Sequence, residues 1–273
     1  MNATKKLATA VCLLSVFVLM TACSSSMSIK QGGEEFGIKA DKYYEALKLQ
    51  DDADYFESIR AWSEVLEDEP RFAQGQFNIG LIYDMLNMVP EAIEHYELAV
   101  QVAEESRDLI GNGNEARENS ADTKASIALY NAHLGAAYLR GGLIDEAITA
   151  LVKAETDDQF NPAIHYNLAA AFMAKGNYEV ALKQADIAVD LVAKPDSKTT
   201  SGLASDVDTD RLAAYLLRQG KCHIARAEWE KAKACFDRIV AQCHGTVPAE
   251  TMAELNAGMK AAEPAKGDEG SEG

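Results

Sequence analysis

The chain has 273 residues, with 26 Lys and Arg set against 43 Asp and Glu, for a formal net charge of −17. So acidic a protein has nothing with which to replace the counterions around nucleic acid, and no polybasic patch to hold anionic lipid. The length suits one large domain or two ordinary ones unless internal repeats set the architecture. The first 22 residues stand apart. Lys5 and Lys6 precede an uncharged, largely apolar run, Leu7 to Ala22, which ends at Cys23 and three serines. A basic n-region before so short an apolar stretch reads as a leader, the alternative being an uncleaved anchor helix.

The segment Met20-Thr21-Ala22-Cys23 resembles the lipobox of bacterial lipoproteins. In that family the cysteine sulfur is acylated and the cysteine becomes the first residue of the mature chain. Met20 stands where Leu is usual, and it is too bulky for an ordinary small-residue cleavage site. The resemblance implies lipidation at Cys23 and removal of residues 1–22. Ser24 occupies the place where, in many Gram-negative lipoproteins, an aspartate retains the protein at the inner membrane. The implied location is therefore the outer membrane, facing the periplasm. Residues 23–38, Gly- and Ser-containing and polar, are expected to form a flexible tether.

Beyond the tether a pattern recurs every 34 residues. Leu134, Gly135, Tyr138, Gly142, Ala147 and Ala154 correspond to Leu168, Ala169, Phe172, Gly176, Ala181 and Ala188. The same frame takes in Ile79, Gly80, Tyr83, Ala92, Tyr96 and Ala99, and upstream Ala46, Ser58, Trp62 and Val65. At the far end it takes in Gly220, Ala227, Trp229, Ala232, Phe236 and Ile239. Small residues at fixed places with large ones between them, at this period, resemble the tetratricopeptide repeat. Five repeats are expected: 39–72, 73–106, 128–161, 162–195 and 213–246. Each is an antiparallel helix pair, with Gly or Ala at its eighth and twentieth positions letting the two axes approach. The resemblance implies an all-α, right-handed α-solenoid. Tryptophan, usual at the fourth position of the family, is absent, with Lys42, Gln76, Asn131, His165 and Leu216 in its place. Glu45 in the first repeat stands where Leu is usual, which fits an exposed end.

Two insertions, 107–127 and 196–212, rich in Gly, Asn, Ser and Asp at their centres, are expected to be loops. A final helix over 247–260, opening near Pro248, should cover the last repeat, because the end of a repeat stack cannot bury its own apolar face. Residues 261–273 read as a disordered acidic tail.

Signals for catalysis are lacking. There is no G-x-S-x-G, no H-E-x-x-H and no phosphate-loop lysine beside a serine or threonine. Cys222, Cys235 and Cys243 have no C-x-x-C spacing, and the last two would sit about 12 Å apart on one helix, so neither metal nor disulfide is expected. No cofactor is implied. In the tetratricopeptide family the first helix of each repeat lines the concave face. Here that implicates Tyr43, Leu47, Phe77, Leu81, Met85, Leu139, Tyr166, Met173, Leu217 and Ile224, with Asp51, Asp84, Arg140 and Lys221 interspersed. The Lys/Asn/Arg clamp by which chaperone-binding members hold a peptide carboxylate is not reproduced. An apolar groove with few charges suits a protein or peptide partner presenting an amphipathic helix or an extended apolar segment. The alternative is that this stripe packs against neighbouring helices or the chain's own tether. The expected function is a lipid-anchored periplasmic scaffold that aids assembly of an envelope complex in pilus, secretion or cell-wall machinery. The rival is an enzyme or ligand-binding protein with a site built from the two insertions.

Overall fold

In the computed structural model, residues 26–31, 34–109, 114–193 and 208–262 are described, and they form two compact units, one up to Gln159 and one from Phe160. The leader, Cys23, residues 196–207 and the tail beyond 262 lie outside the described residues. The first unit holds a strand pair, β1 (Ser26–Gln31) and β2 (Glu34–Lys39), then helices α1 (Ala40–Asp51), α2 (Tyr55–Asp68), α3 (Ala73–Met85), α4 (Val89–Leu109), α5 (Asn114–Arg140) and α6 (Ile144–Asp157). The second holds α7 (Pro162–Ala174), α8 (Tyr178–Ala193), α9 (Thr209–Ala225), α10 (Trp229–Cys243) and α11 (Ala249–Ala262). The fold is an all-α solenoid of helix pairs with a covering helix at its C-terminal end.

The helix pairs close as the small residues require. Ala46 and Ser58, Ala92, Ala147, Ala169 and Ala181, and Ala232 are all fully buried. Where the eighth position is glycine, a large side chain from the second helix fills the space. A Cβ on Gly80 would meet the Tyr96 ring at 2.7 Å, one on Gly135 the Leu151 side chain at 2.5 Å, and one on Gly220 the Phe236 ring at 2.2 Å. In the first repeat Ser58 fixes the crossing by donating its hydroxyl to the Ala46 carbonyl at 2.8 Å. Every hairpin turns at the fifteenth position in a left-handed conformation: Ala53, Asn87, Gly142, Gly176 and Ala227 have φ between 57° and 78°. The residue after each donates its N–H to the carbonyl five back, as in Asn177 to Phe172 at 2.8 Å, which closes the helix end.

Three expectations change. Residues 26–39 are not a tether throughout: β1 and β2 pair antiparallel, with Ile29 opposite Phe36 and Met27 opposite Ile38. Phe36 and Ile38 alternate with exposed Gly37 and Lys39, and enter the core with Tyr43, Trp62 and Phe72. The Phe36 and Phe72 rings lie 5.5 Å apart. The hairpin thus covers an apolar face of the first helix pair, the service an end repeat needs from something. Insertion 107–127 is mostly helix, since α4 continues to Leu109 and α5 begins at Asn114. Thr123 and Ile127 in that extension are buried. In insertion 196–212, α9 already begins at Thr209, its first turn capped by the Asp208 carboxylate, which accepts from the Arg211 N–H at 3.0 Å.

At the other end, α11 lays Leu255 into the core of α9 and α10, with Met252 and Met259 beside it. Gly258 lets it press on Trp229, whose ring would lie 2.3 Å from a Cβ at that position. Cys222, Cys235 and Cys243 are free and buried, and burial pushes the Cys222 and Cys235 thiols up to about 11.

Two substitutions in the fifth repeat should act in opposite directions. Gly220→Val crowds the Phe236 ring and should cost on the order of 1–3 kcal/mol of unfolding free energy. Ala227→Gly relieves a left-handed alanine and should stabilise by about 0.5–1 kcal/mol, net of the flexibility glycine adds to the unfolded chain. Urea unfolding of both variants measures the pair, and a destabilising Ala227→Gly would show that the turn is not strained.

Candidate partner-binding surface

In the first unit the first helices of the repeats are α1, α3 and the C-terminal half of α5. Their side chains divide into core and surface. Tyr43 is buried, edge-on to Trp62 with ring centres 5.3 Å apart, and its hydroxyl accepts from the Gln74 amide at 3.3 Å. Phe77 is buried too, 4.6 Å from the Tyr130 ring and 5.1 Å from His133. Leu47, Leu81 and Leu139 are half-buried, and Met85 is 54% exposed. Asp84 accepts from the Arg140 guanidinium and so ties α3 to α5; burial raises the Asp84 carboxyl, against the lowering effect of Arg140.

In the second unit, Tyr166, Met173 and Leu217 are half-buried, while Ile224 belongs to the core with Leu216 and Phe236. Three of the ten residues expected to line a groove, Tyr43, Phe77 and Ile224, are therefore packing residues, each covered by a ring or aliphatic chain of its own unit. The structure brings together Tyr166, Leu217 and Ile224 around one core, Tyr43 and Leu47 around another, and Phe77 and Leu81 around a third. Met173 packs on the Ala169, Ala181 and Cys222 cluster.

Two features escape a reading of apolar positions. In two repeats the residue standing where the family places tryptophan forms a hydrogen bond to the second helix, with the two partners exchanged between them. Gln76 Oε1 lies 2.8 Å from His95 Nδ1, and His165 Nδ1 lies 2.6 Å from Gln184 Oε1. The signal was present as a Gln and a His 19 residues apart, in swapped order. The second feature is Arg218, adjacent to Leu217, whose guanidinium carbon lies 3.9 Å from the centre of the Tyr166 ring.

The second-helix side of the first unit differs in character. A cleft of about 390 Å³ has Leu134, Ala150 and Val100 in its floor, and Asp145, Glu146 and Lys153 in its wall. Glu97, Gln101 and Glu104 continue the lining along α4. Lys153 pairs with Glu104 at 3.2 Å, and the Tyr138 hydroxyl donates to Glu97. Among the described residues no group of His, Cys, Asp and Glu side chains could hold a metal ion, and no helix is long and apolar enough to cross a membrane.

Comparison with known proteins agrees with this geometry. Family models described as tetratricopeptide repeat match residues 43–107 and 214–243, and one described as TPR repeat matches residues 135–176. BtubC (BKLC) from P. vanneervenii superposes with a TM-score of 0.56 at 16% identity, covering 82% of this chain and 82% of that one. A MamA protein superposes at 0.54 and 16% identity, covering 82% and 95%. MamA residues 41 to the end, from Desulfovibrio magneticus RS-1, superpose at 0.51 and 12% identity, covering 82% and 96%. No curated protein sequence matches. The chain is a tetratricopeptide-repeat protein, and at these identities the solved structures speak for its fold alone.

His133 offers a test of the first unit's packing. Burial, reinforced by Arg140, holds its imidazole down at about 4 against an ordinary 6.5. The folded state keeps it neutral where the unfolded chain takes up a proton, so its contribution to stability is complete above pH 6.5 and is lost as pH falls towards 4. The difference in unfolding free energy between the parent and His133→Leu should change across that window and stay flat on either side. A difference independent of pH would place His133 in solvent.

Proposed function

We propose that this protein is a lipid-anchored scaffold of a bacterial envelope, which captures a protein partner on the first-helix faces of its repeats and aids assembly of an envelope complex. Pilus, secretion and cell-wall machineries are the classes such a scaffold serves. The observation that carries this reading is the set of large apolar side chains those helices leave partly uncovered: Leu47, Leu81, Met85 and Leu139 in one unit, Tyr166, Met173 and Leu217 in the other. Tetratricopeptide repeats are interaction modules, and apolar side chains with little competing charge suit an amphipathic or extended segment. The basic, then apolar leader ending at Cys23 supports the anchor and an outer-membrane, periplasm-facing location.

The anchor is tested by feeding cells an alkyne fatty acid. Label should enter the parent and not Cys23→Ala, and the mature chain should begin at residue 23; label on the alanine variant rules the lipoprotein reading out. The surface is tested by photo-crosslinking. A photoreactive residue at Met85 or Leu81 should trap a partner, while one at exposed Val152 on α6 should not. Leu81→Ala with Met85→Ala should weaken capture by at least about 2 kcal/mol at unchanged fold. Phe77→Ala cannot serve here, since emptying a core aromatic site costs about 3–5 kcal/mol of stability by itself. Crosslinks confined to Val152 would move the site to the second-helix side of the first unit and make a basic partner the occupant.

A further inference from the structure

Among the described residues of the second unit, nothing neutralises a cation that is held in place. The Arg218 guanidinium lies over the Tyr166 ring, and that ring stacks on Tyr215 with centres 4.6 Å apart and planes 21° from parallel. The Arg218 Nε is buried and has no hydrogen-bond partner. Among the described residues neither Arg218 nor Lys221, three residues further along α9, has a carboxylate within ion-pair distance. Four other cations of this unit do have one, while among the described residues Lys183, Arg238 and Lys260 do not. Arg226 and Lys231 share Glu228, Lys233 meets Asp237, and Arg211 meets Asp208. The Asp186 carboxylate accepts from Gln219 at 2.7 Å instead. In a chain with 43 acidic residues and 26 basic ones, two neighbouring unpaired cations are not explained by a shortage of acids.

We infer that Arg218 and Lys221 are a receptor for the side-chain carboxylates of an acidic peptide segment, with Tyr166 and Leu217 supplying its apolar footing. The inference rests on the reading that first-helix faces meet the partner, and it names the chemistry of that partner in the second unit. A guanidinium stacked on an aromatic ring has already surrendered side-chain freedom, and it presents a planar fork that a carboxylate matches with two parallel bonds. Lys221 adds a second positive charge one helical turn away. Leu217 and Tyr166 are half-buried beside them, so a segment with apolar residues among its carboxylates gains on both counts. Nucleic acid and anionic membranes satisfy the two cations equally well, but the surrounding field of a protein with net charge −17 repels an extended polyanion far more than a short peptide.

The test is fluorescence anisotropy of the detergent-solubilised full chain with a labelled peptide of alternating Leu and Glu, acetylated and amidated so that only side-chain carboxylates are offered. Its Leu-Gln counterpart is the control. The Glu peptide should bind, the Gln peptide should not, and the affinity should fall as salt is added. Arg218→Gln should weaken binding by about tenfold, and Arg218→Lys should recover part of the loss. Should Arg218→Gln lower the melting temperature, Lys221→Gln provides the reading instead, with a loss of about threefold expected. Equal affinity in the parent and both variants, or no binding of the Glu peptide, overturns the proposal. So does Arg218-dependent binding of phosphatidylglycerol vesicles in place of the peptide. Crosslinking at Met85 or Leu81 is read in parallel: a partner trapped there while the Glu peptide fails removes the acidic class and leaves the scaffold reading intact.

Discussion

Within each repeat, two helix backbones come together over residues too small to separate them, and the fully buried Ala46 with Ser58, or Ala169 with Ala181, mark the place. Close approach at that point leaves a gap beside it, and the size of the gap decides what fills it. Glycine at the eighth position admits Tyr96, Leu151 or Phe236 almost to van der Waals contact with the backbone. Alanine at Ala169 is matched by Ala185, which is also buried. The small and the large residue are thus one packing unit, and neither can be exchanged without the other. From this contact follow the direction of each hairpin, the left-handed residue at its turn, and the apolar flank that the next repeat or an end cover has to bury.

Much of this was legible because the period is written in residue size. Gly, Ala and Ser at fixed places can be matched across 34 residues without knowing what packs on them. The strand pair was not legible for the opposite reason. Its signal is two apolar residues, Phe36 and Ile38, set in Glu, Gly and Lys, and a six-residue strand has little room to declare its alternation. What makes it fold is a demand from elsewhere, the uncovered face of Tyr43, Trp62 and Phe72. Likewise the insertion at 107–127 is rich in Gly and Asn at its centre, while α4 runs on to Leu109 and α5 starts at Asn114. Composition averaged over the segment hid the difference.

The candidate surface was only partly legible, and position alone was not enough. Tyr43, Phe77, Tyr166 and Leu217 all hold the fifth place of a repeat. The first two are buried and the last two are not, because the neighbouring side chains differ: Trp62 and Phe72 close over Tyr43, Tyr130 and His133 over Phe77. Tyr166 instead meets Arg218 and a stacked Tyr215. Whether an inward-pointing residue is core or surface is decided by its partners: those of Tyr43 lie later in its own repeat, and those of Phe77 and Tyr166 lie in the following one, out of sight of a single repeat read in isolation. The swapped Gln76–His95 and His165–Gln184 pairs lie each within one repeat, and each half looks like an anomaly until the other is set against it.

On the reading that Cys23 carries a lipid, the strand pair also changes the mechanics of attachment. A sixteen-residue leash would let the repeats explore a wide volume below the bilayer and present any face to it. With β1 starting at Ser26 and Phe36 locked under Phe72, the chain from Cys23 to the first strand can span at most about 10 Å. On the reading that Cys23 carries the lipid, the N-terminal edge of the first unit is moored against the headgroups. Rotation about that edge, and not free diffusion on a string, then governs which partners the protein can meet and at what height above the membrane it meets them.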